Sequence, residues 1–190
     1  MKPDENDWID RVLKGDPAAY ENLVKRYQAR LVAFLWNLLG SGDDARDAAQ
    51  DVFIQAYTRL GQFDRSRGFK NWLFAIAYHF GIDLLRRKRR FRRFWQREAA
   101  SSDPVQVPAG PIEESPIWQP ALRRVTAQER SALALKYNEG WESAEIAMAL
   151  GCAESTVRVH LLNARRKLKR ELAAAGFSAG PNKPDPEEVS

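Results

Sequence analysis

At 190 residues the chain has room for one medium domain or two small ones, and 44% hydrophobic residues can bury real cores, which excludes a wholly disordered chain. Its longest apolar run, 31–39, is about half a membrane span and is interrupted by Asn37, while residues 1–10 are acidic without an apolar core. Neither membrane insertion nor a signal peptide is expected, the chain reads as soluble and cytoplasmic, and the one cysteine, Cys152, excludes an internal disulfide or a cysteine-based zinc site.

The net charge of +5 is unevenly spread. Residues 1–98 carry 19 basic and 13 acidic side chains, 99–118 none against three, 119–170 ten against five, and 171–190 one against four. Two basic blocks, separated and followed by acidic stretches, point to a polyanion contacted at two places, with nucleic acid the evident candidate.

The first helix signal is Asp16-Pro17, where Asp16 can cap free backbone N–H groups and Pro17 fits the first helical turn. Leu23, Tyr27, Leu31, Phe34, Leu35 and Leu38 then recur at helical spacing until Gly40-Ser41-Gly42. Asp43 is read as the cap of the next helix, which runs to about Leu60 with Ala45, Ala48, Ala49, Val52, Ala56 and Leu60 turned inward. A turn-rich loop, 61–68, leads to a long helix with Trp72, Leu73, Ile76, Ala77, Phe80 and Leu84 as its apolar stripe. Residues 1–98 are thus expected to form one helical domain.

Residues 99–120 hold five prolines and no basic side chain, the composition of a flexible linker. Residues 121–175 are again helical. Thr126 and Glu129 fit a capping box for a helix to about Asn138, and Glu139-Gly140 breaks it. A short helix, 143–150, stops at Gly151, and a longer one runs over 154–172. Residues 176–190 read as a disordered tail. The expected fold is all-α, with two small helical domains joined by a linker.

Within the second domain, Ala147 lets two helices cross closely, Gly151 supplies a positive φ four residues later, and Val157 packs the second helix back on the first. That is the helix-turn-helix pattern, whose second helix enters the major groove. Its outward face is Ser155, Arg158, Val159, Leu162, Asn163 and Arg166. Arg158 suits guanine and Asn163 adenine; Val159 and Leu162 can touch thymine methyls or pack on the preceding helix. Arg165, Lys167, Lys169 and Arg170 suit phosphates.

Two features of the first domain also bear on function. Residues 86–97 hold eight basic side chains in twelve, interleaved with Phe91, Phe94 and Trp95, which can pair with phosphates and stack on unpaired bases. On the preceding helix Asp43, Asp47, Gln50, Asp51, Ile54 and Thr58 share one face, opposite the apolar stripe. The helix dipole favours acids in a first turn, so part of this pattern is structural. A metal-dependent nuclease using Asp43, Asp44, Asp47 and Asp51 would need a second carboxylate cluster or a histidine placed to complete the site, and none is evident; neither metal nor cofactor is expected.

These pieces, in this order, resemble the extracytoplasmic-function (ECF) sigma factors. The stretch DDARDAAQDVFIQAY from Asp43 resembles their region 2.2, FDRSRGFKNWLFAIA from Phe63 with DLLRR from Asp83 resembles regions 2.3 and 2.4, and Glu129-Arg130 through Gly140, Gly151, Val157 and Ala164-Arg165 resembles region 4. The resemblance implies a non-enzymatic transcription initiation factor. Asp43, Asp47, Gln50 and Asp51 would bind core RNA polymerase. Arg67, Phe69, Lys70 and Asn71 would capture an unpaired base of the -10 element, and His79, Asp83, Arg86 and Arg87 would hold the melted strand. Region 4 would read the duplex -35 element of promoter DNA, and an anti-sigma factor is an expected further partner. His79 stands where the family commonly has Asn, and His160 and Asn163 where it often has Arg. The alternative reading is a helix-turn-helix regulator that binds duplex DNA without polymerase, although no spare amphipathic helix is available for its dimerisation.

Overall fold

The computed structural model of the protein describes residues 4–98, 121–122 and 124–176, and along 92–98 the backbone only. The linker expected at 99–120 and the tail beyond Gly176 lie outside the described residues, as do the side chains of Phe94 and Trp95. The described residues form helices and turns with no strand. In chain order they are α1 (Glu5–Leu13), α2 (Ala18–Leu39), α3 (Gly42–Thr58), α4 (Phe69–Glu98), α5 (Ala127–Leu133), α6 (Ser143–Leu150) and α7 (Glu154–Ala174).

The apolar stripes read from the sequence account for the core of the first module. Leu23, Tyr27, Leu31, Phe34, Leu35 and Leu38 of α2 are buried against Ala45, Ala48, Ala49, Val52 and Ala56 of α3 and Leu73 and Ala77 of α4. Burying each leucine stabilises the fold by about 1.5–3 kcal/mol. α2 and α4 approach so closely that a Cβ on Gly81 would lie 2.4 Å from Leu38 Cδ2, which is why glycine stands inside that helix. Asp16 accepts from the Ala18 amide at 3.1 Å and opens α2, and Gly40, with φ 74°, closes it. The cap of α3 differs from expectation. Ser41 accepts from the Asp44 amide at 3.3 Å, whereas Asp43 lies within the first turn and pairs with Arg46 at 2.7 Å. α1 is an addition to the elements read from the sequence. Its apolar side chains Trp8, Ile9 and Val12 pack on the core, and so short a helix depends on that docking.

In the second module Thr126 and Glu129 form the expected capping box. α5 does not continue as an α-helix to Asn138. Residues Ala134–Asn138 instead form a π turn, with the Glu139 amide donating to Ala134 O at 3.2 Å and the Trp141 amide to Leu135 O at 3.1 Å. α6 ends at Gly151 with φ 65°, and Val157 and Leu161 of α7 bury against Ile146, Ala147 and Leu150. The helix-turn-helix thus forms with the glycine in the left-handed position that its turn requires.

The two modules share one hydrophobic core. The Trp141 ring meets Phe74 of α4 at 5.7 Å, and Arg130 of α5 reaches the last turn of α2. There its Nε donates to Asn37 O at 2.7 Å and Nη2 to Leu38 O at 3.2 Å, while Nη1 donates to Val125 O at 2.7 Å within its own module. A helix C-terminus leaves its last carbonyls without intrahelical partners, so a guanidinium placed there satisfies them and suits the negative end of the dipole.

Candidate nucleic-acid interface

α7 presents its expected face to solvent. Ser155, Arg158, Val159 and Arg166 are exposed, with Leu162 and Asn163 half-buried beside them. Val159 is 51% exposed, so it is free to meet a thymine methyl, whereas Leu162 is half-buried. Arg158 pairs with Glu154 one turn earlier, an arrangement that pre-orients the guanidinium along the helix. Behind this face Lys167 pairs with the buried Glu129 at 2.7 Å, tying α7 to α5. Burial raises the Glu129 carboxyl, but the Lys167 ammonium and the Thr126 amide outweigh it and leave the group below the ordinary glutamate value.

The loop before α4 is built by a local capping pattern. Asp64 accepts from the Ser66 amide at 3.0 Å and from its hydroxyl at 2.7 Å, and Gly68 turns the chain into the helix with φ 68°. Arg65 pairs back to Asp10 of α1 and Arg67 with Asp64 at 3.5 Å, and both arginines stay exposed at the lip. Phe69 corrects the expected base-capturing set. It is 2% exposed, within an aromatic cluster of Tyr27, Phe63 and Trp72 at ring distances of 5.7, 5.8 and 5.8 Å, and so anchors the loop instead of offering its ring to a base.

Lys70 and Asn71 lie at the start of α4 and point to the second module. Lys70 Nζ donates to Glu139 O at 3.0 Å and sits 5.3 Å from the centre of the Trp141 ring; Asn71 Nδ2 donates to Glu145 Oε1 at 3.2 Å. Further along, His79, Asp83, Arg86 and Arg87 fall on one side of the helix and are exposed. Asp83 holds Arg86 at 3.3 Å, and Asp83, Arg86, Arg87, Arg89 and Arg90 line an open depression whose basic side chains suit phosphates.

α3 turns Asp43, Asp47, Gln50 and Asp51 outward, all exposed. Asp44, beside them, is drawn instead to Lys88 of α4, whose ammonium holds its carboxyl below the usual aspartate range. The same face carries two large apolar groups, Ile54 at 61% exposure and Tyr57, the second of which the residue pattern had not singled out. Asp43, Asp47 and Asp51 thus frame exposed apolar side chains. Among the described residues no cluster of three or more His, Cys, Asp or Glu could hold a metal ion, and no helix is long and apolar enough to cross a membrane.

Known proteins share this architecture. Residues 23–91 match Sigma-70 region 2 and residues 118–168 match Sigma-70, region 4. The chain is 30% identical over 176 residues to ECF RNA polymerase sigma factor SigL of Mycobacterium tuberculosis, covering 87% of this chain and 98% of that protein. It is 28% identical over 177 residues to ECF RNA polymerase sigma factor SigW of Bacillus subtilis, covering 86% and 94%. Among solved structures, CnrH in complex with the cytosolic domain of CnrY superposes with a TM-score of 0.64 at 26% identity, over 88% of this chain and 96% of that one. The sigma factor RpoE of Bartonella quintana, solved with the anti-sigma factor NepR, shares the fold at a TM-score of 0.63 and 22% identity over 81% of this chain and 96% of that one. Both sigma regions in the same order, and likeness to these relatives over nearly their whole length, show that the chain belongs to the ECF RNA polymerase sigma factors, which are transcription initiation factors.

Proposed function

We propose that the chain docks on core RNA polymerase through Asp43, Asp47, Gln50 and Asp51 of α3, with Ile54 at the centre of that contact. The -35 duplex is read by α7, Arg158 and Asn163 supplying the base-edge contacts and Arg166 a phosphate contact, with Ser155, Val159 and Leu162 beside them. Arg67, Lys70 and Asn71 take the flipped base of the -10 element, and His79, Asp83, Arg86 and Arg87 hold the melted strand. Phe69 supports this loop from within. The factor acts in the cytoplasm, without catalysis and without a cofactor, and an anti-sigma protein is its expected regulator, by likeness to relatives solved with such partners.

The observation that carries this assignment is the exposure of two polar faces that the core does not use, one on α3 and one on α7. Melting is then driven by binding: a base held in a pocket offsets an unstacking cost of a few kcal/mol. Two weak DNA contacts on one chain gain from effective concentration once both are docked on polymerase.

The test is transcription in vitro from a genomic fragment library with bacterial core polymerase and this protein. Starts that depend on the protein and share two sequence elements at fixed spacing support the assignment. Tight binding to duplex DNA without polymerase, and no specific starts, would replace it with a duplex-binding regulator.

A further inference from the structure

The loop at 61–68 is fastened at its foot and at its lip by different means. At the foot, Phe63 packs on Phe69 and Trp72 at ring distances of 5.8 and 5.2 Å, and Phe69 packs on Tyr27 at 5.7 Å. At the lip the side chains are exposed and the backbone bonds are local, from the Arg67 amide to Asp64 O at 3.1 Å and from the Gly68 amide to Arg65 O at 3.2 Å. Asp64 turns inward on Ser66 and Arg67, whereas Arg65 reaches across 55 positions of sequence to Asp10 of α1. Local turns give a loop its shape, but only a contact of that second kind gives it a fixed place.

α1 is itself pinned to the core. Ile9 is 1% exposed, Tyr27 donates its hydroxyl to Glu5, Arg26 Nε meets Glu5 at 3.0 Å, and the Arg26 guanidinium lies 5.7 Å from the centre of the Trp8 ring. Asp10 thus joins an anchored helix to an exposed loop tip. An ion pair whose partners are 44% and 47% exposed adds little to the stability of the whole fold. Its effect falls on the lip, which belongs to the least stable part of the module and has few other restraints.

We propose that Asp10 is a positioning residue for -10 recognition: through Arg65 it fixes the lip of the loop, so that Arg67 and Asn71 meet the flipped base in a set geometry. This rests on the assignment of Arg67 and Asn71 to that base. A loop fixed in advance pays little ordering cost when the right base arrives, and it cannot shift to accommodate a wrong one. Arg65 is then a strut between helix and loop, and not a strand contact.

The test uses the full chain with core polymerase on a promoter recovered by the transcription assay above, its -10 element randomised. The quantity read is the ratio of transcripts carrying the preferred base at the flipped position to those carrying the other bases. Asp10→Ala is expected to lower that ratio about threefold while leaving co-purification with polymerase and the thermal unfolding curve unchanged, and Arg65→Ala to do the same. The double variant is expected to lose no more than either single one, because each removes the same contact. Should Asp10→Ala lose helicity, Asp10→Asn keeps the shape of the side chain and is read against the same outcomes. An unchanged ratio in Asp10→Ala, or losses that add in the double variant, overturns the inference. So does a drop in Arg65→Ala that is equal on every -10 sequence, which would make Arg65 a phosphate contact. The -10 assignment is judged separately, by Arg67→Ala combined with Asn71→Ala. Full discrimination in that variant sinks the assignment and the inference together, whereas lost discrimination there with full discrimination in Asp10→Ala sinks the inference alone.

Discussion

Arg158, Val159 and Arg166 of α7 stand in solvent, whereas Lys70 and Asn71 of α4 are engaged by Glu139 and Glu145 of the other module. The difference reflects the partners proposed for each. Duplex DNA presents a groove of fixed shape, and a preformed helix can wait for it at little cost. A single strand is met by basic and aromatic groups that accept almost any sequence, so such a surface left open binds indiscriminately. The engagement is partial, since His79, Asp83, Arg86 and Arg87 further along α4 stand in solvent.

The comparison can be broken at several points. Asp47→Arg combined with Asp51→Arg should have the largest effect, abolishing co-purification with core polymerase while leaving thermal stability unchanged, because both side chains are exposed. Retained co-purification would move the docking surface elsewhere. Trp141→Ala should cost about 3–5 kcal/mol of stability in urea unfolding, since a ring buried between the modules is lost from the shared core. A cost near zero would mean that the second module is not packed on the first in solution. Arg158→Ala should remove about 1–3 kcal/mol of discrimination at one -35 base without altering the unfolding curve; an equal loss on every promoter sequence would make Arg158 a phosphate contact.

The smallest effect concerns pH. The Glu129 carboxyl titrates lower in the folded chain than in the unfolded one. Its stabilisation is thus complete above the ordinary glutamate value of about 4.3 and is lost as pH falls towards and through the lowered folded value. Glu129→Gln should cost about 1–3 kcal/mol at neutral pH and flatten the acid limb of the stability curve below about pH 4. An acid limb identical to that of the wild-type chain would show that Lys167 does not hold this carboxylate in solution.

Much of the fold could be read along the chain because its signals are local. The 3.6-residue recurrence of Ala45, Ala48, Ala49, Val52 and Ala56 told which side of α3 is buried, and Thr126 with Glu129 marked a helix start to the residue. The cap of α3 falls to Ser41 and not to the expected Asp43, since either oxygen can reach a free amide and only the path of the backbone decides between them. Phe69 misled for a different reason. It sits among polar neighbours at the first position of its helix, and its burial comes from Tyr27, far away in sequence. The contact between the modules left no local trace at all. Arg30 and Glu139 are 109 positions apart, and each reads by itself as an ordinary surface charge. By contrast, the outward face of α7 was legible because a helix-turn-helix fixes its own orientation through three residues, Ala147, Gly151 and Val157.

The π turn at Ala134–Asn138 places Glu139 and Trp141 against the first module, and it contains one residue more than an α-helical turn would use. Deleting one residue there would let α5 run on as a regular helix with the downstream chain on nearly the same side, because a π turn absorbs an extra residue while keeping the helical phase. A deletion within the regular turns of Ala127–Leu133 would instead swing Glu139 and Trp141 by about 100°, away from Arg30, Lys70 and Phe74 together. The π turn is therefore the one place in this segment where the chain can lose a residue and still keep both side chains against the first module.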